Sequence, residues 1–199
     1  MKAKQLALFE YFGMQDTRKK YGRTQHGGAL HRHHRKEFRP LSTRRWIHLV
    51  LKSDKAYGAL SFLNSRNQLV IKKLLADRAK RFGIKIADYA NVGNHLHLKI
   101  KISSRENFAK FLKSVTAQIA RLVTGARKGK PFGRFWQGLA FTRILTTSLE
   151  ELNLKGYIEA NRREAAGSRQ ARENFLKQFN SWVYRQRASA KGSEPYSSA

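Results

Sequence analysis

The chain has 199 residues and no cysteine, so it can form one globular domain with flanking segments but no disulfide framework, thiolate zinc site or cysteine nucleophile. No apolar run is long enough to span a bilayer, which argues against a membrane protein. The formal net charge of +28 predicts a polyanionic partner, and the usual polyanions in cells are nucleic acids.

Residues 1–43 carry many charges and show little hydrophobic periodicity. The basic, glycine-containing stretch that ends at Pro40 is typical of a partly disordered arm, which orders only on nucleic acid or against the domain. Arginine suits a flexible segment that must read a base edge or a narrow groove. We therefore expect the arm to contact a DNA duplex or hairpin through Arg32, Arg35, Lys36 and Arg39.

From Arg44 onward the sequence has the pattern of a folded domain. Strands are predicted where apolar residues alternate or cluster, and helices where apolar residues recur at helical spacing. Gly83 marks the end of one helix, and the segment Ser148–Glu151 resembles a capping box that begins another. In chain order, the predicted elements are strand 46–52, helix 64–82, strand 84–92, strand 95–102, helix 105–123, strand 135–145, helix 148–166 and helix 170–186.

The order of the core elements, β-α-β-β-α-β-α, predicts an α+β fold. It is that of a ferredoxin-like sandwich with an antiparallel sheet and helices on one face. The basic N-terminal arm and an extra C-terminal helix flank this sandwich. We assign residues 1–43 to the arm, 44–167 to the core domain, 168–187 to the C-terminal helix and 188–199 to a disordered tail.

Two histidines on the fourth predicted element are candidate metal ligands. His95 and His97 leave the same face of a strand whose other face is apolar. A Cβ separation of about 7 Å allows their nitrogens to converge on one ion. His31 and His33 have the same spacing, but they lie in the arm, which offers no rigid platform. A surface or hydrogen-bonding role is the alternative for the pair on the strand.

Tyr157 and Asn161 lie four residues apart and therefore share one face of a predicted helix. A tyrosine hydroxyl is a weak nucleophile at neutral pH, so attack on a phosphodiester needs a cation that polarises the phosphate. A divalent ion supplies this effect, and an amide oxygen one turn away can complete its coordination. The alternative is a helix whose tyrosine only packs on the sheet.

Basic and aromatic residues are candidates for contacts with a nucleic acid backbone and with unpaired bases. Lys99 and Lys101 share the strand face of the two histidines, although a solvated sheet face explains them equally well. A loop between the second helix and the last strand contains arginine and lysine together with phenylalanine, as binding sites for single-stranded nucleic acids do. Its candidates are Arg127, Lys128 and Lys130, with Phe132 and Phe135 nearby; packing in the core is the alternative for Phe135 and Trp136.

Together, these motifs resemble those of the single-tyrosine HUH transposases (IS200-like), most of all the group associated with repetitive extragenic palindromes. The resemblance rests on Asn94–His97, on Trp136-Gln137 ahead of the last strand, and on the Tyr-Ile-x-x-Asn segment that runs from Tyr157 to Asn161. It covers roughly residues 40–167, about two thirds of the chain.

The resemblance implies a ferredoxin-like HUH nuclease domain that binds Mg²⁺ or Mn²⁺ and cleaves single-stranded DNA beside a hairpin. It implies that His95, His97 and Asn161 are the metal ligands and that Tyr157 is the nucleophile. The product would be a 5′-phosphotyrosyl enzyme with a free 3′-hydroxyl, which can attack back to rejoin strands. Lys113 belongs to a Lys-Ser pair that is common in the second helix of this family, and we expect it to contact DNA.

The sequence departs from the pattern of the family at two positions. Arg162 follows Asn161 where proline is common, so the helix can continue past the asparagine. Gly156 directly precedes Tyr157 and should weaken the helix by about 1 kcal/mol relative to alanine. This weakening either gives the tyrosine freedom to reach a phosphate or has no role.

The alternatives to a transposase are a non-catalytic nucleic-acid binder on the same fold and an RNA-binding protein. The second lacks an exposed pair of aromatic residues on the strand 95–102 for base stacking. We expect a cytoplasmic, nucleoid-associated protein that binds single-stranded or hairpin DNA and no membrane. Both a monomer and a homodimer fit the sequence, with the tyrosine helix serving its own subunit or a second one.

Overall fold

The structure, a computed structural model, describes residues 24–28, 38–167 and 169–191. It contains one mixed α+β domain, in which a short 3₁₀ helix follows the second strand. The strands are β1 Gln25–His26, β2 Ile47–Lys52, β3 Lys85–Asn91, β4 His95–Lys101 and β5 Phe141–Ile144. The helices are α1 Ser65–Arg81, α2 Arg105–Thr124, α3 Ser148–Ala165 and α4 Arg169–Lys191.

The strands form one antiparallel sheet in the order β1-β5-β2-β4-β3. Without β1, this is the strand order of a ferredoxin-like sheet, which confirms the predicted fold class. The edge strand β1 comes from the predicted arm. Gln25 and His26 pair with β5, and His26 is buried, so this part of residues 1–43 belongs to the sheet.

The two faces of the sheet are covered by different helices. The apolar face, with Leu49 on β2 and Leu98 on β4, packs against α1 and α2 in the main hydrophobic core. Because side chains alternate along a strand, His95, His97, Lys99 and Lys101 face the other side. Helix α3 lies on that side and packs through Leu154 and Ile158. The prediction that all helices lie on one face is therefore wrong for α3.

Most element boundaries agree with the prediction, and three differ. The strand predicted over 135–145 contains only Phe141–Ile144, because Phe135 and Trp136 pack into the main core instead of pairing with a strand. Helix α3 is capped by Thr147, whose side chain accepts from Glu150 N, and not by Ser148. Helix α4 extends to Lys191, which lies in the predicted tail; residues 192–199 lie outside the described residues.

Candidate active site

The two histidines of β4 lie side by side on the face that α3 covers. Their ring centroids are 4.7 Å apart, and His97 is buried while His95 is half-buried. His95 Nδ1 is 2.5 Å from Asn94 Oδ1, so this nitrogen donates and Nε2 keeps its lone pair. His97 Nε2 is buried and has no hydrogen-bond partner among the residues that the structure describes. His95 thus offers Nε2 to an ion, and Nε2 is the nitrogen of His97 that remains without a hydrogen-bond partner in the described part of the chain.

Burial keeps these imidazoles neutral. It lowers the pKa of His95 to about 4, with a further contribution from the charge of Lys52. The pKa of His97 lies well below its ordinary value for the same reason, with smaller contributions from His95 and His48. A neutral imidazole is the form that binds metal. The donor set therefore fits a divalent ion.

The nucleophile candidate reaches these histidines from α3 of the same chain. The rings of Tyr157 and His97 meet edge to face, with centroids 5.0 Å apart and planes at 89°. Tyr157 is only 8% exposed. Burial raises the pKa of its phenol, and a hydrogen bond with the side chain of Asn161 partly opposes this rise.

Asn161 lies one helical turn after Tyr157 and is buried. Its Nδ2 donates to the backbone oxygen of Tyr157 at 2.8 Å, which fixes the amide against the helix. Within the described part of the chain, no group of three or more His, Asp or Glu residues is suited to a metal ion. The role of the Asn161 amide as a third ligand beside His95 and His97 stays a prediction.

His48 is a site residue that the sequence analysis missed. It lies on β2, it is fully buried, and its Nε2 is 3.1 Å from His97 Nδ1. Burial lowers the pKa of His48 to about 3, with contributions from the charges of Arg143 and His95. The alternation of Trp46–Lys52 already places His48 on the non-apolar face. The predicted ferredoxin-like order already puts β2 beside β4, but only the observed register shows that His48 reaches His97.

Helix α4 packs over the part of α3 that carries the tyrosine. A Cβ atom at Gly156 would lie 2.3 Å from Cε1 of Phe179, so only glycine lets the two helices approach this closely. Leu176 of α4 is buried in the same cluster as Tyr157, and Arg172 pairs with Glu164 at 3.1 Å. The role of Gly156 seen here is close packing.

A group of lysines surrounds Trp46 on the same face of the sheet, and we call it the Trp46–lysine cluster. The ammonium groups of Lys85, Lys99 and Lys101 lie 5.9, 5.0 and 6.0 Å from the centre of the indole ring. Lys85 and Lys101 are exposed and directly opposed across β3 and β4, an arrangement of like charges that destabilises a sheet. Lys99 also pairs with Glu151 at 2.8 Å.

The other predicted DNA contacts lie apart from the histidines. Arg127, Lys128 and Lys130 are exposed in a turn closed by the bridge between Arg127 and Lys130. Lys113 is exposed on α2, which covers the opposite face of the sheet. Arg39 donates to Ala140 O and Thr142 Oγ1, both at 2.8 Å, and so ties its segment to the sheet. Arg32, Arg35 and Lys36 lie outside the described residues.

Comparisons with known proteins point to one family. The family model of IS200-like transposases matches residues 43–161, a range that includes both histidines of β4, Tyr157 and Asn161. A comparison with curated proteins gave no match. No helix among the described residues is sufficiently long and apolar to cross a membrane.

Two solved structures resemble the fold. The first is a REP-associated tyrosine transposase bound to a REP hairpin, with 14% identity and a TM-score of 0.52 over 83% of this chain and 92% of that one. The second is a candidate transposase from Deinococcus radiodurans R1, with 18% identity and a TM-score of 0.40 over 64% of this chain and 98% of that one. At this level of identity, the first likeness supports the fold.

Proposed function

Because the chain belongs to the family of IS200-like transposases, we propose that it cleaves and rejoins single-stranded DNA beside a hairpin through a 5′-phosphotyrosine intermediate. The observation that carries the proposal is the edge contact of Tyr157 with His97, next to His95 and within one chain. This contact supports the proposal that the tyrosine helix serves its own subunit. A REP hairpin is the partner of the solved REP-associated transposase, and we propose the same class of partner here.

The proposed metal site consists of His95, His97 and the amide oxygen of Asn161. When bound, a divalent ion would act as a Lewis acid on a phosphate oxygen and neutralise charge in the transition state. The buried Nε2 of His97, which has no hydrogen-bond partner in the described part of the chain, supports this assignment. We propose Mg²⁺ or Mn²⁺ as the ion, since an amide oxygen is a ligand that suits both.

In the proposed reaction, the phenolic oxygen of Tyr157 attacks the phosphorus of a DNA phosphodiester. The new bond joins phosphorus to the tyrosine oxygen, and the bond from phosphorus to the 3′ oxygen breaks. The phenol releases its proton, and the leaving 3′ oxygen takes up one proton, so charge is balanced. Because one phosphodiester replaces another, the 3′-hydroxyl of a strand can attack the phosphotyrosine and rejoin DNA without a high-energy cofactor.

A second candidate function is that of a non-catalytic nucleic-acid binder. The burial of Tyr157 favours it, since a phenol that is 8% exposed and whose pKa is raised must become accessible before it can attack a phosphate. The high net charge of +28 suffices for binding without chemistry. RNA is the alternative polyanion for such a binder.

Incubation of the full chain with single-stranded hairpin DNA and Mn²⁺, followed by denaturing electrophoresis, distinguishes the two functions. Cleavage predicts a protein–DNA adduct that disappears in Tyr157→Phe and on addition of a chelator. The matched control is Tyr89→Phe, because Tyr89 is another partly buried tyrosine but lies on β3 against the main core. DNA binding without an adduct, across several hairpins, would support the binder instead.

A further inference from the structure

His48 is not a ligand in the proposed metal site, yet it contacts one of the ligands directly. The exposures of His48 and His97 are 0% and 1%. His48 Nε2 lies 3.1 Å from His97 Nδ1, and the two rings stack with centroids 5.3 Å apart and planes at 23°. Water does not compete for a hydrogen bond between groups buried this deeply, so the bond restrains the orientation of both rings.

The same contact determines which nitrogen of His97 remains for an ion. Nδ1 is engaged by His48, whereas Nε2 is buried and unpartnered within the described residues. A nitrogen that binds a metal presents a lone pair and therefore carries no proton. If Nε2 of His97 binds the ion, the one proton of the neutral ring sits on Nδ1, and His48 Nε2 must accept that hydrogen bond.

We propose that His48 is a positioning residue, which accepts the Nδ1–H of His97 and so holds His97 in the tautomer and orientation that present Nε2 to the metal ion. The proposal rests on the proposed role of His97 as a ligand. A carboxylate, a backbone carbonyl or a water usually accepts from a metal-binding histidine. Here a second imidazole on the neighbouring strand does so, and it is the one polar partner of the His97 side chain within the described residues.

The tautomer of His97 is measured directly by nitrogen-15 NMR of the histidine side chains in the full-length, metal-free protein. His97 signals are assigned by their absence in His97→Ala. The expected result is the Nδ1–H tautomer for His97, with a bare Nε2. Observation of the Nε2–H tautomer in the folded wild-type protein would overturn the proposal, and this measurement needs no variant of His48.

Two variants of His48 separate hydrogen bonding from packing. His48→Gln retains a side-chain oxygen that can accept, whereas His48→Leu fills a similar volume without an acceptor. Calorimetric titration with Mn²⁺ should show a loss of about 10–100-fold in affinity for His48→Leu, and His48→Gln should recover most of it. The packing control is Val50→Ala, because Val50 lies directly opposite His97 across β2 and β4 and makes no side-chain hydrogen bond. It should keep the wild-type affinity.

The titration distinguishes failure of this proposal from failure of the proposed function. If wild type binds Mn²⁺ through His97 and His48→Leu binds it equally well, His48 does not position the ligand, while the metal site stands. If Mn²⁺ binding by wild type does not depend on His97, the metal site itself is wrong and the role of His48 falls with it. Circular dichroism checks folding, and if His48→Leu does not fold, the tautomer measurement decides.

Discussion

The imidazole of His97 lies closer to the Tyr157 ring than that of His48, with centroid distances of 5.0 and 6.2 Å. We expect His97→Ala to lose several kcal/mol of transition-state stabilisation, because the Lewis acid is no longer held. Adduct formation should therefore fall at least about 100-fold. DNA affinity should change little, since phosphate contacts elsewhere dominate it. Gel quantification of the adduct and fluorescence anisotropy of labelled DNA measure the two quantities.

The control for this prediction is His26→Ala, which removes a buried imidazole from the edge strand β1. It should leave adduct formation at the wild-type level in the folded protein. If His97→Ala reduced DNA affinity as strongly as cleavage, a metal site separate from the DNA-binding surface would be the wrong description.

The period of a strand and the period of a helix explain why single site residues could be predicted from sequence. Residues two apart on a strand share a face, as His95 and His97 do, and residues four apart share a helix face, as Tyr157 and Asn161 do. The structure brings Tyr157 against His97, which lies beside His95, and Asn161 bonds to the backbone of Tyr157; the catalytic roles of all four stay predictions. The contact of His48 with His97 could not be predicted from these periods, because it depends on the register of β2 against β4.

At the scale of elements, the close packing of α4 on α3 predicts that one substitution changes the free energy of unfolding in opposite directions in two backgrounds. Alanine in place of Gly156 should gain about 1 kcal/mol of helix propensity. Overpacking against Phe179, whose ring would lie 2.3 Å from the new Cβ, costs roughly 1–3 kcal/mol. We therefore expect Gly156→Ala to destabilise the wild-type protein and to stabilise the Phe179→Ala variant. Urea unfolding of the four proteins measures this cycle.

The start of α3 predicts how stability depends on pH. Burial alone would raise the pKa of Glu150, but hydrogen bonds from Thr146 and the charge of Arg143 outweigh it and hold the pKa below the ordinary value of 4.5. The folded state thus favours the carboxylate form of Glu150. The contribution of this group to the free energy of unfolding is fully present above pH 4.5. It is lost as the pH falls from there through the lower, folded-state pKa.

Urea unfolding of wild type and Glu150→Gln between pH 7 and pH 3 tests this dependence. At pH 7 the variant should be less stable, because Arg143 is then buried at 1% exposure without its charge partner. The difference between the two proteins should shrink as the pH falls. An unchanged difference over the whole range would contradict the assignment of Glu150 as the group responsible.

Element boundaries show where sequence patterns stop being sufficient. The run 135–145 looks like one strand, but Ser53 Oγ donates to Phe135 O at 2.6 Å and Trp136 Nε1 donates to Thr116 O at 2.9 Å. These tertiary contacts hold Phe135 and Trp136 against the core and leave four residues for β5. Likewise, Thr147 is the cap of α3 because its side chain accepts from Glu150 N, a choice between neighbouring hydroxyl residues that local sequence does not decide.

For the whole molecule, the composition predicted a polyanionic partner, but it could not show where the partner lies. The basic residues are distributed over both faces of the sheet, with Lys113 on α2 and Lys101 over Trp46 on the other face. Among them, the Trp46–lysine cluster brings ammonium groups close together, and a bound anion would reduce their repulsion. Lys101 lies on β4, the strand that also carries His97. Lys85 lies directly opposite Lys101 on the neighbouring strand β3.

We therefore predict that a single DNA strand lies on the Trp46–lysine cluster, and that its contribution is measurable as a salt dependence. In Lys85→Ala/Lys101→Ala, the slope of log affinity against log salt concentration should become shallower by about 0.7 for each phosphate that the protein no longer neutralises. The matched control is Lys72→Ala/Lys73→Ala, which removes the same charge from exposed positions on α1, across the sheet. Anisotropy titrations of a labelled single strand over a range of NaCl concentrations measure both slopes. Equal slopes for the two double variants would mean that net charge alone, and not this face of the sheet, attracts the strand.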